Sequence, residues 1–385
     1  MKTKYALVLS GGGFKGAFQV GALKYLKENW QKITGLASPM KFDIISGVSA
    51  GSINGSMLAM GKFDLLEELW RLIGENGASE IYTSEFIDTD SKEDKLKFKF
   101  DILSLIKRFN LKIDINLNFF QKLEMIFSKS RRKEVVQEVI QKIGESLKEN
   151  YKNFRSIASN KPLLEKLTLY LDRNKIQGTV FTTGFVSLNT GTYNCVSHTQ
   201  FATNEDFVNG VLASTAIPLV WEPVDKVKFI KDGFIQNSHN NVDGGLMNVS
   251  PLGDVIRMIE DDSEDCKYRV IVINCNSGVP KYENFSNKGI GAIAARSAYE
   301  LTLTEIFNND IDHFVRINDL VKQSEVAQVE LKNPNGRVIK SFEAMIINPD
   351  AEVDLGSPLA ANEKLIQQRI QHGFDQASKS KLFNN

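Results

Sequence analysis

Cysteine and histidine are scarce in this chain: three Cys and four His among 385 residues. Cys195, Cys266 and Cys275 are too few, and odd in number, for a disulfide framework, so a reducing, cytoplasmic compartment is expected. No cysteine pair has metal-ligand spacing, and there is no His-x-x-x-His pair or Asp/Asn-rich calcium loop. No metal and no other cofactor is therefore expected. Neither sign of charge predominates, with 47 Lys+Arg against 47 Asp+Glu; a nucleic-acid binder would usually carry a basic excess, so no nucleic-acid partner is expected. Long apolar runs are missing too. Nothing approaches the roughly 18 consecutive apolar residues of a spanning helix, and the run that ends at Leu9 is too short for a secretory signal. What remains is an ordinary soluble composition, 42% hydrophobic and 24% charged, and any membrane contact is expected to be peripheral, at the inner surface.

The chain is long enough for one large core with an insertion, and no internal repeat divides it. Tyr5 to Leu9 is a short apolar run that stops at glycines and reads as a buried strand. Gly16 to Leu26 has apolar residues at helical spacing. Phe42 to Ile45 reads as a second strand, and Ser49 to Met60 as a second helix continued by Leu65 to Leu72. Alternating strands and helices predict an α/β fold with a parallel sheet. The rhythm returns after Leu163. Strands are expected at Thr179 to Val186, Thr192 to Ser197, Arg269 to Asn274, His313 to Ile317 and Ala344 to Ile347, with strand and turn at Val227 to Ile235. Helices are expected at Val208 to Ser214, Ile290 to Phe307 and Ala361 to Ala377. Between about 75 and 160 the composition changes. Phe98, Phe100, Phe109, Phe119, Phe120 and Phe127 lie among Lys95, Lys97, Lys99, Lys107, Arg108 and Lys112, and Arg131 to Glu149 has helical periodicity. This stretch reads as a mostly helical insertion or cap. Acidic residues interrupt its basic run, which favours a layer packed on the core over a surface that meets lipid.

Three patterns carry chemistry. Gly47-Val48-Ser49-Ala50-Gly51 is a G-x-S-x-G sequence between a strand and a helix. A nucleophilic serine needs such a sharp turn, and glycines two residues to either side leave room for it. Gly11-Gly12-Gly13-Phe14-Lys15-Gly16 joins the first strand to the first helix. Successive glycines can aim several backbone N–H groups at one oxyanion. Gly11, Gly13 and Gly16 also fit the dinucleotide fingerprint G-x-G-x-x-G, and the same glycines could serve only close strand–helix packing; taken alone, the three readings stand equal. The dinucleotide reading lacks the acidic residue that should close the second strand, since Asp43 lies at its beginning. Asp243-Gly244-Gly245, by itself, is ordinary turn chemistry.

Together these patterns resemble the patatin-like phospholipases, lipid acyl hydrolases that use a Ser–Asp dyad. The glycine loop Gly11 to Gly16, the elbow Gly47 to Gly51 and the Asp-Gly-Gly triplet Asp243 to Gly245 match in order and spacing. Ala213-Ser214-Thr215-Ala216-Ile217-Pro218 matches a family segment near the active site, Phe181 to Gly191 a strand and turn, and Ala361 to Gly373 a closing helix. The resemblance spans nearly the whole chain outside 75–160. It implies one domain over 1–385, a three-layer α/β/α arrangement around a central, largely parallel sheet, and hydrolysis of phospholipid or other fatty-acyl esters. Ser49 would be the nucleophile and Asp243 its base, with the amides of Gly11, Gly12 and Gly13 as the oxyanion hole. Lys15 would anchor the loop or an anionic head group. Some bacterial members are effectors switched on by a signal, which the resemblance also permits. A Ser…Asp…His order is offered by Ser49, Asp243 and His313, but His313 has a ready structural place ahead of its expected strand. His239, close to Asp243 in sequence, reads as a solvated loop residue.

Overall fold

In a computed structural model, residues 2–89 and 155–383 are described, apart from 265, 281, 290, 291, 294, 295, 334, 335, 337 and 382. The strands are β1 (Lys2–Leu9), β2 (Ile44–Val48), β3 (Val180–Ser187), β4 (Thr192–Ser197), β5 (Val224–Lys231), β6 (Phe234–Asp243), β7 (Cys266–Ile273) and β8 (Glu343–Ile347). The helices used below are α1 (Ala17–Thr34), α2 (Ala50–Ala59), α3 (Phe63–Asn76), α4 (Lys161–Tyr170), α5 (Asn204–Thr215), α6 (Leu252–Asp261), α7 (Thr302–Val326) and α8 (Glu363–Lys379).

All the named strands join one sheet in the order β5-β6-β3-β2-β1-β7-β8, with β4 also on β3. The run β3-β2-β1-β7-β8 is parallel; β4 and β6 pair antiparallel with β3, and β5 with β6. Alternation along the central strands sorts the core into two halves. Tyr5, Leu7 and Leu9 of β1 and Ile271 and Ile273 of β7 face one buried cluster, shared with α1, α2, α3 and α5. Ala6, Val8, Val270 and Val272 face a second, with Leu252, Val255 and Ile259 of α6 and Phe314 of α7. A strand covered on both faces is apolar at every position rather than at alternate ones, which is why these strands read as continuous hydrophobic runs. The expected three-layer α/β/α arrangement is present.

Several boundaries differ from the sequence reading. The second helix does not continue past Met60: Gly61, at φ 70°, breaks it, and α3 starts afresh at Phe63. Residues 313–317 are not a strand but lie within α7, where Phe307, Phe314 and Val321 are buried at seven-residue spacing. Five residues of mixed polarity were too short a window to reveal that helical period. Strand β6 runs on to Asp243, well beyond the strand and turn expected at Val227 to Ile235. Helices α4 and α6 were not foreseen.

Residues 77–89, expected to open the insertion, belong to the core, with Ile81, Tyr82 and Ile87 buried. Thr83 and Ser159 exchange backbone hydrogen bonds of 2.9 and 2.8 Å, which hold together the two core segments on either side of residues 90–154. The Phe- and Lys-rich stretch and the helix expected at 131–149 lie outside the described residues.

Candidate active site

The junction of two strands brings Ser49 and Asp243 together. Val48, the last residue of β2, pairs with Gly184 of β3. Asp243, the last residue of β6, pairs with Phe185, the next residue along β3. β4 occupies the other edge of the same stretch, so β2 and β6 meet end to end along one edge. Two segments almost 200 residues apart in sequence thereby deliver their terminal side chains to one point.

At the end of β2 the chain turns sharply into α2. Ser49 sits at φ 56°, ψ −127°, an uncommon conformation for a residue with a side chain, held at a cost on the order of 1–3 kcal/mol. The surrounding structure compensates. Ser49 N–H donates to Ser214 Oγ at 3.0 Å, and Ser49 O accepts the Ser52 amide at 2.9 Å. Gly47 and Gly51 are required by crowding: a Cβ on Gly47 would stand 2.2 Å from Gly51 O, and one on Gly51 2.2 Å from Leu9 O.

Asp243 is buried, and the Ser49 side chain lies close enough to act on its carboxyl. Its Oδ1 accepts the Gly245 amide at 2.7 Å, and its own N–H donates to Ala216 O at 2.9 Å. Burial pushes its carboxyl from 3.8 up to about 7, against the lowering effect of the Ser49 side chain and the Gly245 amide. The C-terminal end of α5 thus touches both residues, through the Ser214 hydroxyl on one side and the Ala216 carbonyl on the other. Gly244 allows close approach to β3, since a Cβ there would lie 2.3 Å from Gly184 O.

The glycine loop lies against the elbow. A Cβ on Gly11 would stand 3.2 Å from Ser49 Cβ and 3.9 Å from Ser49 Oγ. Gly11 cannot be one of three free oxyanion donors, as the sequence reading had it: its amide donates to Val249 O at 2.9 Å. Among the described residues, the amides of Gly12 and Gly13 have no protein acceptor. Gly13 adopts φ 55°, and Pro358 O crowds it so closely that a Cβ would lie 2.4 Å away. Phe14 N–H donates to that same carbonyl at 2.8 Å.

A serine on a strained turn, a buried carboxylate beside it and a glycine loop against them form one site. The sequence profile of the patatin-like phospholipases matches residues 7–256, a span that takes in every part of it. This chain belongs to the patatin-like phospholipase family. A stretch of 55 residues is 49% identical to an uncharacterised protein of Acanthamoeba polyphaga mimivirus, covering 14% of this chain and 16% of that protein. The crystal structure of VipD from Legionella pneumophila aligns over 98% of this chain and 66% of VipD, at 16% identity and a TM-score of 0.38. That likeness is too slight to carry an argument.

In this patatin-like chain the remaining expected residues have structural places. Gly16 packs on the start of α2, where a Cβ would lie 2.7 Å from Ala50 Cβ. Gly245 supplies the amide that Asp243 accepts. Lys15 is partly buried, with Nζ 3.4 Å from Asn276 Oδ1; desolvation, and then the Arg369 charge, lower its pKa. Asp43 is occupied far from the glycine loop, its Oδ2 accepting the Tyr5 amide at 2.8 Å. His313 is exposed on α7 and His239 exposed on β6, so neither lies in the loop or strand position expected for it. No histidine is among the groups that shift Asp243.

Sequence reasoning missed a buried polar chain beneath the loop. Trp70 Nε1 donates to Asn54 Oδ1 at 2.9 Å, and Asn54 Nδ2 donates to Gln19 Oε1 at 2.8 Å and Gly16 O at 3.0 Å. Gln19 Nε2 in turn reaches Ser10 O at 2.8 Å and Ile273 O at 3.2 Å. Gln19 and Asn54 are fully buried, and such groups persist inside proteins when every donor and acceptor is satisfied. Their only signal in sequence was a polar residue on an otherwise apolar helix face.

Proposed function

We propose that the protein hydrolyses fatty-acyl esters of phospholipids or lysophospholipids through a Ser49–Asp243 dyad. The observation that carries this reading is the convergence of Ser49, on its strained turn at the end of β2, and buried Asp243, at the end of β6, on adjacent residues of β3, with no histidine among the groups acting on the carboxylate. Ser49 Oγ attacks the ester carbonyl carbon while Asp243 takes its proton. The carbonyl oxygen becomes an oxyanion, received by the Gly12 and Gly13 amides and favoured by the N-terminal end of α2. Collapse breaks the ester C–O bond. The proton on Asp243 passes to the departing alcohol or lysolipid, and the acyl group stays on Ser49. Water, deprotonated by Asp243, then attacks the acyl-enzyme; the released Ser49 oxygen recovers the proton and the fatty acid leaves.

A carboxylate raised to about 7 is a far better base near neutrality than one in water. The substrate is water-insoluble when long-chained, so the enzyme works in peripheral contact with a lipid surface. Hydrolysis of a p-nitrophenyl ester and of phosphatidylcholine vesicles should be lost in both Ser49→Ala and Asp243→Ala, with the fold retained. Full activity in either variant would refute the dyad. Activity on the soluble ester but not on vesicles would refute the phospholipid assignment alone.

A further inference from the structure

We propose that Arg369 is a positioning residue for the oxyanion loop, so that the C-terminal helix, outside the segment that matches the family, sets the geometry of the active site. The inference rests on the Ser–Asp reading above for its catalytic consequence. Arg369 is a fully buried side chain on α8. Its guanidinium donates to backbone carbonyls of one short loop: to Leu355 O from Nε at 2.9 Å and from Nη2 at 2.7 Å, to Ser357 O at 2.9 Å and to Ala360 O at 3.0 Å. A planar fork of donors bonded at several points fixes both the position and the orientation of what it holds.

The centre of the loop is Pro358. Its carbonyl accepts the Phe14 amide at 2.8 Å and stands against Gly13, the residue at positive φ. The Phe14 hydrogen bond therefore fixes the peptide unit after Gly13 and, through the Gly13 Cα, constrains the preceding unit that carries the free Gly13 amide, with the Gly12 amide one unit further back. Tyr82 supports the same loop, donating from its hydroxyl to Leu359 O at 3.0 Å. Arg369 itself is located by close packing of α8 on α1. A Cβ on Gly373, one turn further on, would lie 1.9 Å from Phe18 O, and one on Gly21 would lie 1.8 Å from Ile370 O. The helices touch backbone to backbone, so the guanidinium has little freedom to follow a shifting loop. Its charge also reaches the loop directly, since Arg369 lowers the pKa of Lys15, and a fixed cation there favours an oxyanion.

The test compares wild type with Arg369→Lys and Arg369→Gln. Lysine keeps the charge but loses the fork; glutamine keeps some donors and loses the charge. For a p-nitrophenyl ester, kcat should fall roughly 10- to 100-fold in both, as a misplaced oxyanion donor would cause, while KM stays within about twofold, as expected when ground-state binding is untouched. Covalent labelling of Ser49 by a fluorophosphonate should slow in parallel. The midpoint of the pH–rate limb should not move, because Ser49 and Gly245, the partners of Asp243, are unaltered. Hydrogen exchange of the wild type supplies a readout that survives misfolding of a variant. Within peptides over 11–17 and 355–361, the hydrogen-bonded amides of Phe14, Lys15 and Ala360 should exchange slowly together, and should quicken selectively in Arg369→Lys. Fast exchange of either segment in wild type, or folded variants with unchanged kcat, would overturn the proposal. A shifted pH limb would overturn it too, by showing that the variants act on the dyad. Activity remaining in Ser49→Ala would instead sink the dyad reading and leave the exchange result to stand by itself.

Discussion

Replacing Asp243 with Asn should abolish activity and, at the same time, make the protein more stable at alkaline pH. Asp243 is held at about 7 in the folded chain against 3.8 ordinarily, because burial opposes its charged form. In the unfolded chain the carboxyl loses its proton near its ordinary value; in the folded chain it keeps it until near neutrality. Folding stability therefore falls as pH rises from about 4 to about 7 and levels off above. Each pH unit of that interval corresponds to about 1.4 kcal/mol, so the ionised carboxylate costs at most about 4 kcal/mol at pH 8. The amide of Asp243→Asn carries no charge, keeps an oxygen for the Gly245 amide and offers its N–H₂ to Ser49. The variant and wild type should be nearly equal in stability at pH 4. At pH 8 the variant should be the more stable by up to that amount, visible as a melting temperature several degrees higher. The assay is the difference in melting temperature or unfolding midpoint between the two proteins across this range, in which all other titrating groups cancel. A difference independent of pH, or one favouring wild type at pH 8, would refute the claim that burial dominates the Asp243 environment.

The same shift predicts a kcat/KM profile that rises with pH through a midpoint near 7, and a flat profile between pH 5 and 9 would count against Asp243 as base. Gly12→Ala should lose activity on the order of a hundredfold or more, because its Cβ would lie 2.2 Å from Cys275 Cβ and the loop must move; ester hydrolysis at saturating substrate is the check. Ser214→Ala leaves the buried Ser49 amide without its acceptor, worth roughly 1–3 kcal/mol. It should lower the melting temperature and slow fluorophosphonate labelling of Ser49, whereas Ser214→Thr, which keeps a hydroxyl, should recover part of both.

The elements legible in the sequence were those governed by local rules. Strands β1 and β7, covered on both faces, announce themselves as apolar runs, and β4 emerged at its observed bounds because a Thr-Gly turn marks its start. The glycines of the elbow and of the loop were readable because each answers a local need: a turn at Gly13, close approach at Gly47 and Gly51. Errors arose where the deciding contact is distant. Residues 313–317 have the composition of a strand, and only the burial of Phe307, Phe314 and Val321 along one helix face, with Phe314 packed against α6 and the sheet, makes them helical. Gly11 looked like an oxyanion donor until Val249, 238 residues away, took its amide.

The sequence by itself determined which side chains could do chemistry: a serine framed by glycines, an aspartate before a glycine pair, and no cysteine or histidine set able to replace them. Spacing along the chain conveys such choices because turns and strand–helix junctions involve only a few consecutive residues. The tertiary structure alone decided that β2 and β6 meet end to end on β3, that Asp243 is dry enough to hold its proton to about pH 7, and that an arginine on the last helix grips the loop behind Gly13. Burial, electrostatic environment and hydrogen-bond partners are properties of atoms close in space, and no local pattern encodes which remote segment will supply them.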